Sequence, residues 1–375
     1  MCGRGERIRT SGPCLPKTVL YQAELLPDRR CRITPAARQE RAYRGEVAGW
    51  QAAFLVVALF VMNKHTQPSA RHWEWDYLDL MRRIWEQGDE RLDRTGIGTR
   101  SVFGPQLRFD LSGGAVPLLT TKRVFWKAAA REMLWFLTGN TNIRPLLQQG
   151  VTIWSDWPLA KYRAATGEDV SQAEFEARIV DDADFAQQWG DLGPVYGKQW
   201  VDWATYEPTA DGLYRKGQGI NQVARLIHDL RTNPGSRRHI IEGWNVAELD
   251  GMALPPCHKT YQFHVAGNRL NCQLYQRSCD VALGLPFNLF GAAMLARMVA
   301  AQAGLEPGEL VWTGGDTHLY LNHAHLVEEQ LGREPQGHPR LHLLRQPVSI
   351  FDYQFDDFDM TDYHPQGVIR APVAV

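Results

Sequence analysis

The chain has 375 residues, 44% of them hydrophobic, and a formal net charge of -1 from 41 basic and 42 acidic residues. This length allows one large domain or two ordinary ones, with a sizeable hydrophobic core. The balanced charge excludes a whole-molecule attraction to nucleic acid or to an anionic membrane, so we expect no stable partner of either kind and expect any bound anion to be held locally.

The first 61 residues differ in composition from the rest of the chain. Arg, Pro and Gly dominate up to about residue 45, and an apolar run follows at residues 47–62. This run is shorter than the roughly 20 apolar residues that cross a bilayer, and it lies too far along the chain for an ordinary signal peptide. A membrane-associating helix is the alternative. We predict that residues 1–61 are an N-terminal extension, disordered or a mis-assigned start, and that residues 62–375 form the folded domain.

The first predicted elements lie between residues 73 and 139. Apolar residues at helical spacing predict an opening helix at 73–89, which Gly88 ends. The sequences SVFGPQLRFDL (101–111) and AVPLLTTKR (115–123) predict short strands on either side of a Ser-Gly-Gly turn. The almost wholly apolar stretch 124–139 predicts a buried helix.

The second half of the chain mixes helix and strand patterns. Residues 163–189 are polar and acidic with a weak helical pattern, and we predict that they form a surface insertion. The remaining predicted elements are an amphipathic helix at 219–231, strands at 239–246, 260–267 and 269–278, and a long apolar helix at 287–304. Because helices and strands do not alternate regularly, we predict an α+β fold.

The cysteines indicate the compartment. There are six of them, and none forms a C-x-x-C pair. A chain this long needs no disulfide framework, so a reducing cytoplasm fits best and we expect no zinc or other metal.

Cys257, in LPPCH, is a candidate nucleophile, a candidate metal ligand or a small core residue. A thiol attacks as its thiolate, so a catalytic cysteine needs positive charge nearby. His258 would point to the opposite face of a strand and is not automatically the base. Arg237 and Arg238 in GSRRH, and Arg277 in YQRSCD, are solvated surface charges or, clustered around one cysteine, a phosphate site.

Six motifs then occur in one order along the chain: DRTGIGTRSVFG (93–104), GDLGPVYGKQW (190–200), LPPCH, LYQRSCDVALGLPFN (274–288), GGDTHLYLNH (314–323) and the closing APVAV. From about residue 75 to residue 375 the chain resembles the thymidylate synthases. The resemblance implies a methyltransferase that converts dUMP to dTMP with 5,10-methylenetetrahydrofolate as carbon and hydride donor. It also implies a mixed β-sheet with flanking helices and a homodimer formed through that sheet, with Arg237 and Arg238 donated to the partner's site.

The reaction gives the matched residues physical roles. Carbon 5 of uracil is a poor nucleophile, and addition of the Cys257 thiolate at carbon 6 turns the ring into an enolate that can attack the folate's methylene carbon. The Asn288 amide can donate to oxygen 4 and accept from the N3 proton, which distinguishes uracil from cytosine. Glu132, a carboxyl in an apolar helix, is suited to proton relay if its pKa is raised.

The resemblance assigns the other site residues by their match to family motifs. The predicted catalytic set is Cys257, Glu132, Tyr196, His258, Arg277 and Asp280. The predicted dUMP-binding set is Arg94, Arg237, Arg238, Gln276, Arg277, Ser278, Asp280, Asn288, His318 and Tyr320. The predicted folate-binding set is Trp154, Trp157, Asp280, Gly284, Phe287, Ala374 and Val375.

Two positions, Ser155 and Glu242, and the stretch 289–292 depart from the family pattern. None of them is the nucleophile or Asn288, but they bear on folate affinity and on the fate of the exocyclic methylene intermediate. The alternative functions are therefore a pyrimidine-nucleotide hydroxymethylase, which uses water instead of hydride, and a non-catalytic nucleotide- or RNA-binding regulator. Intact Cys257, Glu132 and Tyr196 argue against the regulator, as does the lack of a basic excess.

Overall fold

A computed structural model describes residues 71–92 and 96–372, which belong to one structural unit, Ser69–Val375. The predicted extension 1–61 lies outside the described residues. The described α-helices are α1 (Glu74–Gln87), α2 (Trp126–Thr138), α3 (Arg144–Leu147), α4 (Asp156–Thr166), α5 (Gln172–Asp181), α6 (Ala183–Trp189), α7 (Tyr196–Val201), α8 (Gln222–Thr232), α9 (Gly284–Ala303) and α10 (Ala324–Leu331).

The strands are arranged mainly in one sheet. They are β1 (Asp89–Arg91), β2 (Thr99–Phe103), β3 (Gln106–Asp110), β4 (Tyr206–Pro208), β5 (Tyr214–Lys216), β6 (Ile240–Glu242), β7 (His258–Ala266), β8 (Arg269–Asp280), β9 (Glu306–Tyr320), β10 (Arg340–Leu343) and β11 (Phe358–Thr361). The main sheet has the order β1-β2-β9-β8-β7-β6, with β3 also paired to β9. Strands β8 and β9 are parallel, whereas the other pairs in this sheet are antiparallel. The predicted α+β fold with a mixed sheet and flanking helices is confirmed.

One face of the main sheet packs on the core. In β8 the buried residues Leu270, Cys272, Leu274 and Gln276 alternate with more exposed ones, the period-two pattern of a half-buried strand. Helix α9 lies over β8 and β9 on the buried face. Nearly all of its residues are buried, which explains why its sequence is apolar all round.

Helix α9 is also long and apolar enough to cross a membrane. However, 78% of its most apolar window is buried inside the protein. It is therefore the core helix of the fold.

The helices predicted from apolar periodicity are confirmed. Helix α1 ends at Gly88, α2 ends at Gly139 in the left-handed conformation, and α8 begins at the N-cap Asn221. The Asn221 side chain accepts a hydrogen bond from the backbone of Ala224, as expected of an N-cap. The strands predicted at 239–246, 260–267 and 269–278 correspond to β6, β7 and β8, and Gly267 forms the turn between the last two with φ +62°.

The strand predicted at 115–123 is wrong, because this mostly buried segment forms only one isolated bridge, between Ala115 and Arg340 of β10. Two of its backbone N–H groups bond instead to the fully buried carboxylate of Glu74, at the start of α1. Glu74 accepts hydrogen bonds from the backbone N–H and the hydroxyl of both Thr120 and Thr121. A carboxylate on a distant helix thus replaces the strand partner that the local sequence pattern predicts.

The segment predicted as an insertion, 163–189, is helical. It contains the end of α4 and all of α5 and α6, with a capping box at Ser171 and Glu174 that starts α5. Phe185 and Trp189 meet the ring of Tyr162 edge to face, at 5.0 Å between ring centroids for Trp189, and Phe175 is tilted against it. These rings join the three helices to the hydrophobic core of the domain.

Candidate active site

Cys257 lies immediately before β7 and is half-buried. Its backbone N–H donates to the Tyr196 hydroxyl oxygen at 2.8 Å, and its carbonyl accepts from the backbone N–H of Arg277 at 3.0 Å. Both backbone groups of the cysteine are therefore held, one by α7 and one by β8. The other described cysteines, Cys272 and Cys279, are buried, and burial raises the pKa of each thiol.

The Arg277 guanidinium supplies positive charge beside this cysteine. Its Nη2 lies 4.0 Å from the Cys257 Sγ, and its Nε and Nη2 donate to the carbonyls of Pro256 (3.0 Å) and Pro255 (2.7 Å). The guanidinium also lies over Trp244, 5.0 Å from the ring centroid. A cation held beside a sulfur atom favours the thiolate over the thiol.

Glu132, on α2, is paired with Trp154. The indole Nε1 of Trp154 donates to Glu132 Oε1 at 2.7 Å. The residue as a whole is partly exposed, but burial of its carboxyl raises the pKa to about 7, against which the Trp154 hydrogen bond acts. A carboxyl with a pKa near 7 can both give and take a proton near neutral pH.

Tyr196, at the start of α7, is buried between aromatic rings. It stacks on Phe136 with ring centroids 4.8 Å apart and meets Trp154 edge to face at 5.6 Å. Burial raises the pKa of its hydroxyl well above the usual value, with a further contribution from Cys257. The phenol is therefore neutral near pH 7. Because the Tyr196 oxygen accepts a hydrogen bond from the Cys257 N–H, the phenol O–H can still donate a hydrogen bond of its own.

Asn288, in α9, is oriented by a chain of hydrogen bonds. Trp312 Nε1 donates to Gln276 Oε1 at 2.9 Å, and Gln276 Nε2 donates to Asn288 Oδ1 at 2.7 Å. Gln276 is only 2% exposed, and both ends of its amide bond protein groups. This series of hydrogen bonds fixes which atom of the Asn288 amide is the acceptor.

His258 lies in the same buried network. Its ring is 5.5 Å from that of Tyr196, and its Nδ1 is 3.4 Å from the Tyr261 hydroxyl. Burial lowers its pKa to about 4, although a hydrogen bond with Asn288 acts in the opposite direction. His258 is therefore a neutral imidazole at pH 7, and it links Asn288 to the Cys257 side of the site.

The turn between β8 and α9 is held by Asp280. Its Oδ1 accepts from the backbone N–H of Ala282 at 2.8 Å and of Leu283 at 3.2 Å. This turn leads directly into Gly284 and Phe287 on the first turns of α9, and a Cβ at Gly284 would meet no atom closer than 3.7 Å. Asp280 thus positions the backbone that leads to Asn288.

His318 and Tyr320 follow each other on one face of β9, with ring centroids 5.3 Å apart. The parallel pairing sets Asp280 opposite His318 and Ser278 opposite Asp316. His318 Nδ1 lies 3.1 Å from Asp316 Oδ1. The β8–β9 register therefore brings the predicted phosphate and sugar residues to neighbouring strand ends.

Trp154 and Trp157 lie side by side at the edge of the site, with ring centroids 5.4 Å apart. Trp157 is partly exposed and borders a cavity of about 400 Å³ with Leu192 and Met252. An aromatic pair of this kind, with one ring accessible, fits a flat heteroaromatic ligand.

Arg237 and Arg238 are not brought to Cys257. Both are exposed and precede β6, whose residue Ile240 pairs with Gln262 in the middle of β7. At about 3.3 Å per strand residue, this places Arg238 roughly 20 Å from the cysteine of the same chain. Neither guanidinium has a side-chain partner within residues 71–92 and 96–372. Arg94, Ala374 and Val375 lie outside the described residues.

Three contacts of the site were not predicted from the sequence: those of Trp244, Phe136 and Trp312. Trp244 is held by Glu242, one of the departures from the family pattern, whose Oε1 accepts from the backbone N–H of Trp244 at 2.9 Å. The other oxygen of Glu242 accepts from Lys259 and Thr260. Glu242 thus anchors the backbone of the residue that covers Arg277. Another departure, Ser155, is buried, and its hydroxyl has no partner among the described residues.

Comparison with known proteins identifies the family. The sequence model described as Thymidylate synthase matches residues 75–375. The chain belongs to the thymidylate synthase family. It is 72% identical over 308 residues to a protein named Thymidylate synthase from Novosphingobium aromaticivorans, an alignment that covers 82% of this chain and 98% of the relative.

Proteins of the same name from other bacteria are similar to a comparable extent. The chain is 67% identical over 306 residues to that of Sphingopyxis alaskensis (81% of this chain, 98% of the relative). It is 63% identical over 305 residues to that of Rhizorhabdus wittichii (81% and 99%). The predicted family is thereby confirmed, and with it a methyltransferase of the thymidylate synthase type. Within the described ranges, no group of three or more His, Cys, Asp or Glu could hold a metal ion.

Proposed function

We propose that the protein converts dUMP to dTMP, with 5,10-methylenetetrahydrofolate as carbon and hydride donor and dihydrofolate as the second product. The observation that carries this proposal is the environment of Cys257, which is held through its backbone by Tyr196 and Arg277 with a guanidinium 4.0 Å from its sulfur. In a chain of the thymidylate synthase family, a cysteine so placed is the nucleophile.

The first chemical step is addition of the Cys257 thiolate to carbon 6 of the uracil ring. A carbon–sulfur bond forms, and the electron pair of the 5,6 double bond moves toward oxygen 4, so that carbon 5 can attack the methylene carbon of the folate. Asn288 stabilises the charge on oxygen 4 through its Nδ2 donor, while its Oδ1 accepts from N3–H. Gln276 is a positioning residue in this scheme, because it holds Asn288 in the required orientation.

Protons move through Glu132 and Tyr196. With its pKa near 7, Glu132 passes a proton through water to and from oxygen 4. Tyr196 acts as a neutral hydroxyl that orders water for removal of the carbon 5 proton, because its raised pKa disfavours a phenolate. Attack by carbon 5 breaks one of the two carbon–nitrogen bonds of the folate methylene, and when the carbon 5 proton leaves, the second breaks, which leaves an exocyclic methylene on carbon 5 and tetrahydrofolate. Hydride from the tetrahydrofolate then adds to this methylene, the 5,6 double bond re-forms and the carbon–sulfur bond breaks, which gives dTMP, dihydrofolate and the free thiolate.

The nucleotide is held at the ends of β8 and β9. Arg277 and Ser278, with Arg94, bind the 5′-phosphate, and His318 and Tyr320 bind the 3′-hydroxyl of the sugar. The parallel register that places Ser278 and His318 on neighbouring strand ends supports this division. The folate binds on the side of Trp154, Trp157, Asp280, Gly284 and Phe287, with Ala374 and Val375 closing over it.

The active form is a homodimer in which Arg237 and Arg238 bind the phosphate in the partner's site. Their exposure, and their separation of roughly 20 Å from Cys257 of the same chain at about 3.3 Å per residue, support this arrangement. The exposed face of the main sheet, opposite α9, is the face available for pairing.

Mixing two inactive variants tests the shared site. Arg237→Ala/Arg238→Ala subunits and Cys257→Ser subunits are each expected to be inactive. After dissociation and reassociation together, roughly a quarter of the sites should be intact, since a random mixture gives half heterodimers with one complete site each. Recovery of no activity, with mixed dimers present by mass spectrometry, would contradict donation of these arginines.

The direct test of the proposed reaction combines protein, dUMP and 5,10-methylenetetrahydrofolate. The expected products are dTMP and dihydrofolate in equal amounts, measured by chromatography and by the absorbance change of the folate. A hydroxymethyl product would select the hydroxymethylase, and nucleotide binding without any product would select the non-catalytic regulator.

The catalytic domain is residues 62–375, in the cytoplasm. The family match at residues 75–375 supports these domain bounds. The cytoplasmic location is supported by Cys257, Cys272 and Cys279, which are not in disulfides, since a reducing compartment keeps a nucleophilic thiol reduced. A chain beginning at Met62 is expected to have the kcat of the full chain, and a marked loss of folded protein would contradict this boundary.

A further inference from the structure

A second cavity lies away from the site of Cys257, where the last turns of α9 meet β10 and the start of β9. Its volume is about 490 Å³, within the range of small-molecule sites, and it is open to solvent. Leu305, Pro307, Leu341 and Leu343 form apolar walls. The proposed reaction does not use this cavity.

Arg297 is the unusual member of the lining. It is only 6% exposed, and none of the described residues makes an ion pair with it. Its Nη2 donates to the carbonyls of Leu111 and Ala115, both at 2.6 Å, which ties α9 to the turn after β3. Its Nη1 has no hydrogen-bond partner among the described residues, and its Nε is buried without one.

A buried cation without an anion is costly, because its desolvation is not offset by a charge partner. Burial lowers the pKa of Arg297 to about 10, so the guanidinium still carries its proton at pH 7. The carboxylate that acts on it electrostatically, Asp110, is hydrogen-bonded to Arg269 and Ser112. A negative charge in the cavity would be the missing partner.

Other polar groups of the lining restrict which anions can bind in the cavity. Glu306 lies on the lining, and its carboxylate disfavours a ligand with a second negative charge. Gln346 donates its Nε2 to the Ala301 carbonyl, which leaves its Oε1 as an acceptor. The cavity therefore combines one unpaired cation, apolar walls and a carboxylate that opposes dianions.

We propose that this cavity is a second ligand site, which binds a small organic monocarboxylate with its carboxylate on Arg297 and its apolar body against the leucine walls. The site is independent of the proposed reaction. It lies on the same helix as Asn288 but nine residues further along, about 13 Å away at 1.5 Å per residue.

The test measures binding of hexanoate to the full chain by ligand-observed NMR and calorimetry, with 1-hexanol as the uncharged control. Hexanoate is expected to bind saturably, and hexanol at least about tenfold more weakly, which corresponds to 1.4 kcal/mol. Saturating dUMP should not displace it. Equal binding of hexanol, or displacement by dUMP, would overturn the proposal.

Two variants locate the site. Ala301→Phe fills the cavity and leaves Arg297 in place, whereas Arg297→Gln removes the charge; each is expected to weaken hexanoate binding at least about tenfold. Ala303→Phe is the matched control, since Ala303 lies on the same last turn of α9 but does not line the cavity. If Arg297→Gln fails to fold, Ala301→Phe decides alone. Affinity unchanged in Ala301→Phe would overturn the proposal.

Discussion

The hydrogen bond from Trp154 to Glu132 predicts how the pH dependence of catalysis is set. In Trp154→Phe the carboxylate loses the indole donor that lies 2.7 Å from its Oε1, while burial, which raises its pKa to about 7, remains. A hydrogen bond to a charged group contributes about 1.5–3 kcal/mol. We take the lower end, because Glu132 as a whole is partly exposed.

This loss translates into a displacement of the pKa. At 1.36 kcal/mol per unit, about 1.5 kcal/mol moves the Glu132 pKa upward by about one unit, to roughly 8. The sign is fixed because the bond stabilises only the charged form, and its removal favours the protonated acid. The limb of the kcat profile that reports Glu132 should therefore move to higher pH by about one unit, whichever protonation state is active.

The assay is kcat against pH at saturating dUMP and folate, for the wild-type chain, Trp154→Phe and Trp157→Phe. Trp157→Phe is the matched control, because it removes an indole from the same aromatic pair with no hydrogen bond to Glu132. It is expected to change KM for the folate without moving the limb. If the limb for Trp154→Phe stays within about 0.3 pH unit of the wild-type limb, the hydrogen bond from Trp154 does not lower the Glu132 pKa by about one unit, and the prediction is refuted.

Three further substitutions have defined outcomes. Cys257→Ser should abolish turnover but keep dUMP binding, because a hydroxyl is a far weaker nucleophile; calorimetry with a kcat assay checks it, and activity within about tenfold of wild type would contradict the nucleophile. Asn288→Asp should lower efficiency on dUMP and shift preference toward dCMP by at least about tenfold, by replacing a donor with an acceptor or a hydroxyl; an unchanged ratio in competition kinetics would show that Asn288 does not select the base. Glu132→Gln should stabilise the fold at pH 8 by up to about 3 kcal/mol, since the raised pKa of Glu132 costs stability as pH rises from 4.5 to about 7. Urea unfolding at pH 8 and pH 4 measures this, and an equal difference at both pH values would refute it.

Local sequence patterns predicted the elements whose packing is local. Helices α1, α2, α8 and α9 follow from apolar spacing and from Gly or Asn at their ends, because an amphipathic or buried helix records its environment in its own residues. The strand predicted at 115–123 failed for the opposite reason. Thr120 and Thr121 of this segment bond to the Glu74 carboxylate on α1, and nothing in the segment's own sequence indicates that partner.

In the active site, too, the sequence predicted individual residues but not the contacts between distant segments. Local motifs supplied Cys257 and Arg277 as individual candidates, and the resemblance added Asn288 and placed the three in one reaction. The contacts that orient them depend on the sheet register: Trp312 reaches Gln276 because β8 and β9 are parallel neighbours, and Trp244 covers Arg277 from the loop after β6. Such contacts join segments far apart in the sequence, so no spacing within one motif predicts them.

The parallel pairing of β8 with β9 also bears on how the molecule folds. These strands are joined through the whole of α9, so their contacts are non-local, whereas the β7–β8 hairpin closes over a short turn. Non-local pairing of this kind forms late, because the chain must lose loop entropy before the contacts stabilise it. Ser278, Asn288 and His318 come together only when this crossover closes. During refolding, the ability to bind nucleotide should therefore appear after the hairpin and most of the helical signal, which makes the substrate itself a reporter of the last step.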